Sequence, residues 1–269
     1  MDVARVATVI DGLTAQAAKD RPAERVFEDL AAGLKKKLDA LVARREKREP
    51  LQYVTGTVEF SGLRLEIDRR ALVPRPETEM LVEAVLKEKT DGPARALDAC
   101  TGSGAVALAL KKSWGALEVT GADLSRDALL LARANALRLG LETHWVRADL
   151  FGPFVRPFHF ITVNPPYIAE AEFAGLQPEV RDWEPRGALV AGPEGTEVLS
   201  RIPAEAAPLL WPGGLIAVEY DIALHRTSDA GVAWIWRVPS RTVQLQAGEQ
   251  RDIRGFLHRL VIEALRGFP

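Results

Sequence analysis

Between residues 95 and 220 the chain alternates short apolar runs with longer segments of helical periodicity. The strand-like runs are ARALDA, EVTGAD, THWVRADL, FHFITVNPPY and GGLIAVEY, and amphipathic segments such as RDALLLARANALRLG lie between them. Parallel strands need long crossover connections, usually helices, so this order predicts a mostly parallel sheet with helices on both faces. The main part of the chain is therefore predicted to be an α/β domain.

Two segments precede this alternating part. Apolar residues recur at helical spacing from Phe27 to Val42, with Lys35–Lys37 mostly on a solvated face, and residues 1–49 are predicted to form a small helical domain. The segment VEFSGLRLEID predicts a hairpin that turns at Ser61-Gly62. We therefore expect a helical domain over 1–49, a β-hairpin linker over 50–77 and a main domain over 78–269.

The two ends of this main domain are predicted less directly. A helix is expected from about Thr78 to Lys87, before the first strand of the sheet. After Tyr220, VAWIWRV and TVQLQA are expected to be edge strands, and IRGFLHRLVIEAL to be a closing helix.

Composition excludes several classes of function. The formal net charge is -2, which gives no protein-wide basic field, so we expect no direct binding of nucleic acid. The single cysteine, Cys100, rules out an intrachain disulfide, and the four histidines have no cysteine partners, so no metal is expected. The sequence has no signal-peptide layout and no apolar run of roughly 18 to 20 residues, which predicts a cytoplasmic protein without membrane contact.

A glycine-containing loop follows the first strand of the predicted sheet. It comprises Cys100, Thr101, Gly102, Ser103 and Gly104, directly after Asp98-Ala99. The glycines permit a tight turn, and the N-terminus of the next helix offers unpaired N–H groups to a carboxylate. Ligands of open α/β sheets bind at this edge, so a small zwitterionic ligand would fit here. Taken alone, the loop is a weak signal, because a purely structural strand-to-helix turn is the alternative to a ligand site.

Acidic residues end the next two strands. Asp123 lies where a carboxylate accepts hydrogen bonds from both ribose hydroxyls of a nucleoside. Asp149 ends the following strand, where it could meet an adenine amino group while Leu150 packs beside the ring. The dinucleotide fingerprint G-x-G-x-x-G is absent, which disfavours a nicotinamide dehydrogenase. D-x-x-T-G-S-G instead resembles motif I of Rossmann-like methyltransferases, which implies S-adenosylmethionine as the cofactor.

The fourth strand ends in Asn164-Pro165-Pro166-Tyr167. Two prolines stiffen the turn and remove N–H donors, so its carbonyl groups are free to accept hydrogen bonds. A substrate NH₂ could donate to the Asn164 side-chain oxygen and to the Pro165 carbonyl, while Tyr167 covers its flat face. This arrangement predicts a reaction centre that orients a planar amide or amino nitrogen for methylation.

These residues together resemble the HemK/PrmC family of protein N5-glutamine methyltransferases. The resemblance extends over most of residues 50 to 220 and includes EPLQY, VEFSGLRLEID, VPRPETE and Glu184-Pro185. It implies a Rossmann-like class I S-adenosylmethionine-dependent fold, with residues 100–104, Asp123, Leu150 and Asn164 against the cofactor. Asn164, Pro165, Pro166 and Tyr167 would hold the glutamine of the Gly-Gly-Gln motif of a class 1 peptide chain release factor, and the N-terminal domain would dock that partner.

Several alternatives stay open on the sequence. Cys100 is typical of sister enzymes that methylate a glutamine of a large-subunit ribosomal protein, whereas PRPETE matches the release-factor branch. Amino-methylation of a nucleobase poses the same geometric problem, but no target-recognition insert or basic-aromatic groove supports it. A non-catalytic cofactor-binding protein is the alternative outside enzymes. We expect a monomeric enzyme that acts on a release factor.

Overall fold

The computed structural model of the chain describes residues 21–220 and 232–237. The chain separates into two compact units, Met1–Thr55 and Gly56–Pro269. Three predicted features lie outside the described residues: the helical structure before residue 21, the edge strand TVQLQA and the closing helix IRGFLHRLVIEAL. The predicted domain limits themselves stay predictions.

The first unit contains a long helix, α1 (Arg21–Glu46), and a short one, α2 (Leu51–Thr55). Helix α1 confirms the helical periodicity found between residues 27 and 42. The apolar stripe that suggested a bundle is largely exposed, with Leu38 60% accessible. In the described part of the chain, no helix is long and apolar enough to cross a membrane.

Arg44 ties the end of α1 to the segment that follows it. Its guanidinium donates to both carboxylate oxygens of the buried Glu49, at 2.6 and 2.8 Å. It also donates to the backbone carbonyls of Tyr53 and Val54, at 2.9 and 3.1 Å. A five-residue helix cannot bond its own last carbonyls, so Arg44 satisfies groups that would otherwise lack donors.

The second unit contains a hairpin, a central sheet and its flanking helices. The strands are β1 (Thr57–Phe60), β2 (Leu63–Glu66), β3 (Arg95–Ala99), β4 (Glu118–Asp123), β5 (His144–Arg147), β6 (Phe158–Val163), β7 (Ile168–Ala169), β8 (Val190–Gly192), β9 (Leu210–Tyr220) and β10 (Val232–Arg237). The α-helices are α3 (Glu79–Leu86), α4 (Ala105–Ser113), α5 (Arg126–Leu139), α6 (Pro178–Arg181) and α7 (Glu197–Ala206). Short 3₁₀ turns lie at Pro76–Thr78, Phe173–Gly175, Arg186–Ala188 and Ala207–Leu209.

The central sheet has the strand order β10-β9-β6-β3-β4-β5. All neighbours are parallel except β10, which runs antiparallel to β9. The predicted α/β fold, Rossmann-like and typical of class I methyltransferases, is confirmed, as is the expected edge strand within VAWIWRV. The chain builds outward from β3 in one direction and then in the other, so a crevice opens between the carboxyl ends of β3 and β6.

The predicted hairpin is also confirmed, and it is fastened to the sheet domain by one asparagine. Strands β1 and β2 pair antiparallel around Ser61-Gly62. Asn135 on α5 is fully buried, accepts a hydrogen bond from the Glu66 N–H at 2.7 Å, and donates to the carbonyls of Glu66 and Ser103 at 3.0 and 3.1 Å. A single buried amide therefore joins the hairpin to the loop after β3.

Apolar side chains pack on both faces of the sheet. One cluster combines the hairpin with α3, α4 and the first strands. Its fully buried members include Phe60, Leu65, Leu81, Ala96, Leu108 and Leu117. The other lies on the opposite face, beneath α7, and includes Leu97, Phe158, Ile161, Ile202 and Leu209. This double burial explains why the strand sequences read as continuous apolar runs rather than alternating ones.

A buried carboxyl group stands at the end of the central strand. Asp98 is 2% exposed, and its Oδ2 accepts from the Thr101 hydroxyl at 2.5 Å and from the Ala107 N–H at 3.2 Å. Its Oδ1 accepts from the Thr162 hydroxyl on β6 at 2.8 Å. Burial raises the pKa of Asp98 to about 6, against the opposing effect of these hydrogen bonds. Asp98 therefore links the loop, the first turn of α4 and the neighbouring strand.

The indole of Trp145 fills space that two glycines leave open. A side-chain Cβ on Gly121 would lie 2.6 Å from the Trp145 Cε3 atom, and one on Gly104 would lie 2.9 Å from Cη2. Gly121 is in β4 and Gly104 precedes α4, so the ring packs beneath the loop from the side of β5. The loop position thus depends on the absence of a side chain at both sites.

Replacing Gly121 by alanine tests this packing. The added methyl meets the half-buried indole and the Thr101 hydroxyl, so we expect Gly121→Ala to lower the free energy of unfolding by about 1–3 kcal/mol. Gly115→Ala is the matched control, because nothing lies within 4 Å of the added atom. Urea unfolding measures both. Equal stability of the two variants would contradict the role given to Trp145.

The protonation of Asp98 predicts a dependence of stability on pH. Between the ordinary Asp pKa of 3.8 and the folded-state value of about 6, the folded chain binds more protons than the unfolded chain. The contribution of Asp98 to the free energy of unfolding therefore falls as pH rises through this window, by on the order of 3 kcal/mol. Above the window this contribution does not change further.

Urea unfolding of Asp98→Asn across this pH range measures the effect. Relative to the native protein, we expect the variant to lose this fall, because an amide does not titrate. The exposed Asp91→Asn should behave like the native chain. An unchanged pH dependence in Asp98→Asn would show that Asp98 is not the group that titrates.

Candidate active site

The loop after β3 adopts a backbone that few residues tolerate. Cys100, Gly102 and Gly104 all have positive φ angles, of 58°, 56° and 82°. The Thr101 N–H donates to the Ala122 carbonyl at 2.9 Å, which fixes the loop against the end of β4. Gly104 then leads directly into α4, whose first N–H groups face the same edge of the sheet. The five residues 100–104 therefore occupy the crevice where their sequence predicts them.

Asp123 lies beside this loop at the carboxyl end of β4. Its Oδ2 accepts from the Gly102 N–H at 2.9 Å and its Oδ1 from the Ser125 N–H at 2.8 Å. Burial raises the pKa of the Asp123 carboxyl, while these backbone N–H groups lower it. Each oxygen retains acceptor capacity for a further donor. The next residue, Leu124, exposes 62% of its surface. A leucine exposed directly after a strand is a candidate ligand contact that the sequence pattern alone did not reveal.

Asp149 and Leu150 lie beyond β5, next to Asp123. The Ala148 N–H donates to the Asp123 carbonyl at 3.0 Å, which brings the ends of β4 and β5 together. Leu150 is buried, with a φ of 49°. The Asp149 carboxylate forms an ion pair of 3.0 Å with Arg201, although its side chain is 60% exposed. No local pattern predicts this partner, because Arg201 lies on α7, 52 residues away along the chain.

Asn164, Pro165, Pro166 and Tyr167 lie across the crevice, immediately after β6. Asn164 Nδ2 donates to the Thr78 hydroxyl at 3.3 Å, and Thr78 is buried. The Tyr167 ring lies edge-on to Tyr220, with ring centroids 6.0 Å apart. Because β3 and β6 are direct neighbours in the sheet, the Asn164 turn and the glycine loop share one edge.

Gly195 supports the Asn164–Tyr167 turn from behind. Its φ is +74°, and a Cβ there would lie 2.7 Å from the Tyr167 carbonyl oxygen and 2.8 Å from the Ala169 nitrogen. Only glycine lets the two backbones approach so closely.

An ion pair with a buried carboxylate joins the VPRPETE segment to Glu184-Pro185. Arg75, in VPRPETE, donates to both oxygens of Glu184 at 2.9 and 2.8 Å. The Glu184 side chain is 1% exposed; burial raises its pKa and the Arg75 guanidinium opposes this effect. This pair fixes the segment that carries Thr78, and therefore the residue that contacts Asn164. Breaking one partner of such a pair leaves an uncompensated buried charge.

Glu219, near the end of β9, is a third polar residue close to Thr78 and Asn164. It is 7% exposed, and among the described residues its Oε2 atom has no hydrogen-bond partner. Burial raises the pKa of Glu219, and hydrogen bonding with Thr78 and with Asn164 lowers it. No local pattern in the sequence marks Glu219 as part of the site, because it is one acid near the end of an apolar strand.

The Cys100 thiol is not a candidate nucleophile. Burial, together with the nearby carboxylates of Asp123, Asp98 and Asp149, raises the pKa of the Cys100 thiol, which is therefore protonated at neutral pH and a weak nucleophile. Within residues 21–220, no group of three His, Cys, Asp or Glu side chains is arranged to hold a metal ion.

Comparison with known proteins places the chain among methyltransferases. Residues 76–176 match the family model described as Methyltransferase small domain. The release factor glutamine methyltransferase of Deinococcus radiodurans is 47% identical over 182 residues, 67% of this chain and 65% of that protein. The chain thus spans slightly less than two thirds of that relative.

A second relative is covered more fully. The release factor glutamine methyltransferase of Rhodopirellula baltica is 40% identical over 222 residues, 79% of this chain and 71% of that protein. Among solved structures, the ribosomal protein L11 methylase of Lactobacillus delbrueckii subsp. bulgaricus aligns over 61% of this chain and 80% of its own, with 17% identity and a TM-score of 0.43. The chain covers more than two thirds of this relative at 40% identity. It therefore belongs to the release factor glutamine methyltransferase family.

Proposed function

We propose that this protein transfers the methyl group of S-adenosylmethionine to the side-chain amide nitrogen, N5, of the glutamine in the Gly-Gly-Gln motif of a peptide chain release factor. Membership of the family supports the substrate. The observation that carries the chemistry is the Asn164–Tyr167 turn beside the glycine loop, with the Asn164 amide nitrogen held by Thr78. We expect the enzyme to act as a monomer in the cytoplasm, with no direct contact to nucleic acid or membrane.

The residues at the carboxyl ends of β3, β4 and β5 fit S-adenosylmethionine. Residues 100–104 would face its amino-acid part, and Asp123 retains lone pairs for two ribose hydroxyls in addition to its two backbone donors. Leu124 and Leu150 would pack against the adenine, with Asp149 near its amino group. When bound, the cofactor supplies an electrophilic methyl group on a positively charged sulfur. The carboxylates of Asp123 and Asp149 favour a cationic ligand at this edge.

The turn would hold the substrate amide by both of its protons. One N–H would donate to Asn164 Oδ1 and the other to the Pro165 carbonyl, while the Tyr167 ring covers the amide plane. The lone pair of an amide nitrogen is delocalised and weakly nucleophilic, so catalysis depends on orienting this nitrogen and excluding water from it.

The same acceptors act as the reaction proceeds. Positive charge would develop on the amide nitrogen as the methyl group leaves the sulfur, which becomes a neutral thioether, and the Asn164 and Pro165 carbonyl oxygens would stabilise that charge. One of the held protons would pass to solvent when the site reopens after the transfer, which restores a neutral, singly methylated amide. Therefore, no strong general base is needed on the protein.

The acidic residue at the end of β4 gives a test of cofactor binding. Asp123→Asn keeps the size of the side chain but loses its charge and half of its acceptor capacity, so we expect the Kd for S-adenosylmethionine to rise at least about tenfold. Glu118→Gln changes an exposed carboxylate at the opposite end of the same strand and should leave the Kd unchanged. Calorimetry measures both; equal affinities would remove Asp123 from the site.

Incubation with labelled S-adenosylmethionine and a purified release factor tests the whole proposal. Label should enter the native release factor and be absent from one whose Gly-Gly-Gln glutamine is replaced. Tyr167→Ala should lower kcat on the order of 10²-fold at unchanged cofactor affinity, because the amide loses its cover, whereas Tyr167→Phe keeps the ring and should retain most of the activity.

Three results would contradict the proposal. Label that persists after the glutamine is replaced would show a different target. Labelling of ribosomal particles instead would identify the ribosomal-protein alternative. Cofactor binding without any turnover, in native chain and Tyr167→Ala alike, would indicate a non-catalytic binding protein.

A further inference from the structure

Glu219 is a buried acid that the proposed reaction leaves without a task. It follows Val218 of β9, which pairs with Val163 of β6, and Val163 is the residue directly before Asn164. Only 7% of its surface is accessible, and among the described residues one carboxylate oxygen lacks any hydrogen-bond partner. Burying a carboxylate this way costs free energy, so an acid here needs a physical reason beyond packing.

Thr78 connects this acid to Asn164. Asn164 Nδ2 lies 3.3 Å from the Thr78 hydroxyl oxygen. Burial raises the pKa of Glu219, and the nearby Thr78 and Asn164 side chains oppose this effect. Thr78 is 4% exposed, and its segment is fixed by the ion pair between Arg75 and Glu184. The three polar side chains therefore have little freedom to choose other partners.

Donor and acceptor rules determine which way the Asn164 amide faces. An ionised carboxylate only accepts hydrogen bonds, so a Thr78 hydroxyl that bonds Glu219 donates its single proton to it. The hydroxyl oxygen must then accept from Asn164, which turns the amide NH₂ toward Thr78 and the Oδ1 atom to the opposite side. A substrate NH₂ needs an acceptor on that side. An amide rotated by half a turn would present donors to donors.

We propose that Glu219, acting through Thr78, is a positioning residue that sets the orientation of the Asn164 side-chain amide, and that it does so in its ionised form. This inference rests on the proposed function, since it assigns Asn164 Oδ1 to the substrate amide. Glu219 itself touches neither the substrate nor the reacting atoms in this account.

Protonation of Glu219 would reverse the chain of hydrogen bonds. A protonated Glu219 donates to Thr78, which frees the Thr78 proton for Asn164 Oδ1 and favours the rotated, inactive amide. The charged groups near Glu219 are Glu77, which raises its pKa, and Arg75, which lowers it; both belong to the segment before α3. The residue in register on β10 is the uncharged Ala233. Activity should therefore fall on the acid side as Glu219 gains a proton.

Two sets of variants of the full chain test this proposal by steady-state kinetics with a release factor. Thr78→Val keeps the shape of the side chain but removes the hydroxyl, so kcat should fall on the order of 10²-fold while the KM for S-adenosylmethionine changes little. Thr78→Ser restores the hydroxyl and should recover most of kcat. Glu219→Gln should lower kcat and abolish the acid limb in its pH profile, because the amide does not titrate.

The outcomes separate this inference from the proposed function. If the native chain does not methylate the release factor, the proposed function fails. If the native chain is active but Thr78→Val matches Thr78→Ser, or Glu219→Gln keeps the acid limb, only the positioning role fails.

A direct readout of the amide orientation does not depend on turnover. In ¹⁵N-labelled native protein, the Asn164 side-chain NH₂ protons should show an NMR contact with Thr78 at neutral pH. We expect that contact to weaken in Glu219→Gln and in acid. A contact that is unchanged in both would overturn the proposal.

Discussion

Asp98 is the group on which the crevice of this protein depends. A carboxyl group at the end of the central strand accepts hydrogen bonds from a loop hydroxyl, from an N–H in the first turn of α4 and from a hydroxyl on β6. These partners belong to the three elements that define the candidate cofactor site. The same burial that makes the bonds strong also penalises the charge, which is why its pKa is raised.

Contacts between segments far apart in the chain hold the reaction centre around this point. Arg75 and Glu184, separated by 109 positions, fix the residues that flank Asn164. Asn135 joins the hairpin to the glycine loop, and Gly195 permits close backbone approach behind Tyr167. Each of these contacts depends on one residue type, either because a polar group is buried there or because two backbone segments approach closely. The side chains that would touch substrate are thus held by a surrounding layer of specific interactions.

The sequence predicted the sheet because its signals are local. Apolar runs, helical periodicity and strand-end aspartates each lie within a few residues, and parallel pairing brings Asp98, Asp123 and Asn164 to one edge once the strand order is known. The partners of these residues were not predictable in the same way. Arg201 reaches Asp149 from another helix, and the space for the Trp145 ring depends on two glycines in separate elements. Such contacts exist only after the fold has formed. The exposed leucines of α1 show the same limit, because periodicity indicates an apolar face but not what covers it.

We propose that this crevice methylates the side-chain amide nitrogen of a glutamine in a protein. Tandem mass spectrometry of the release factor after incubation with the enzyme and S-adenosylmethionine is the most direct test. We expect one added methyl group, on the Gly-Gly-Gln glutamine side chain and on no other residue of the peptide. A methyl group on any other residue, or its absence from a release factor that the enzyme binds, would contradict it.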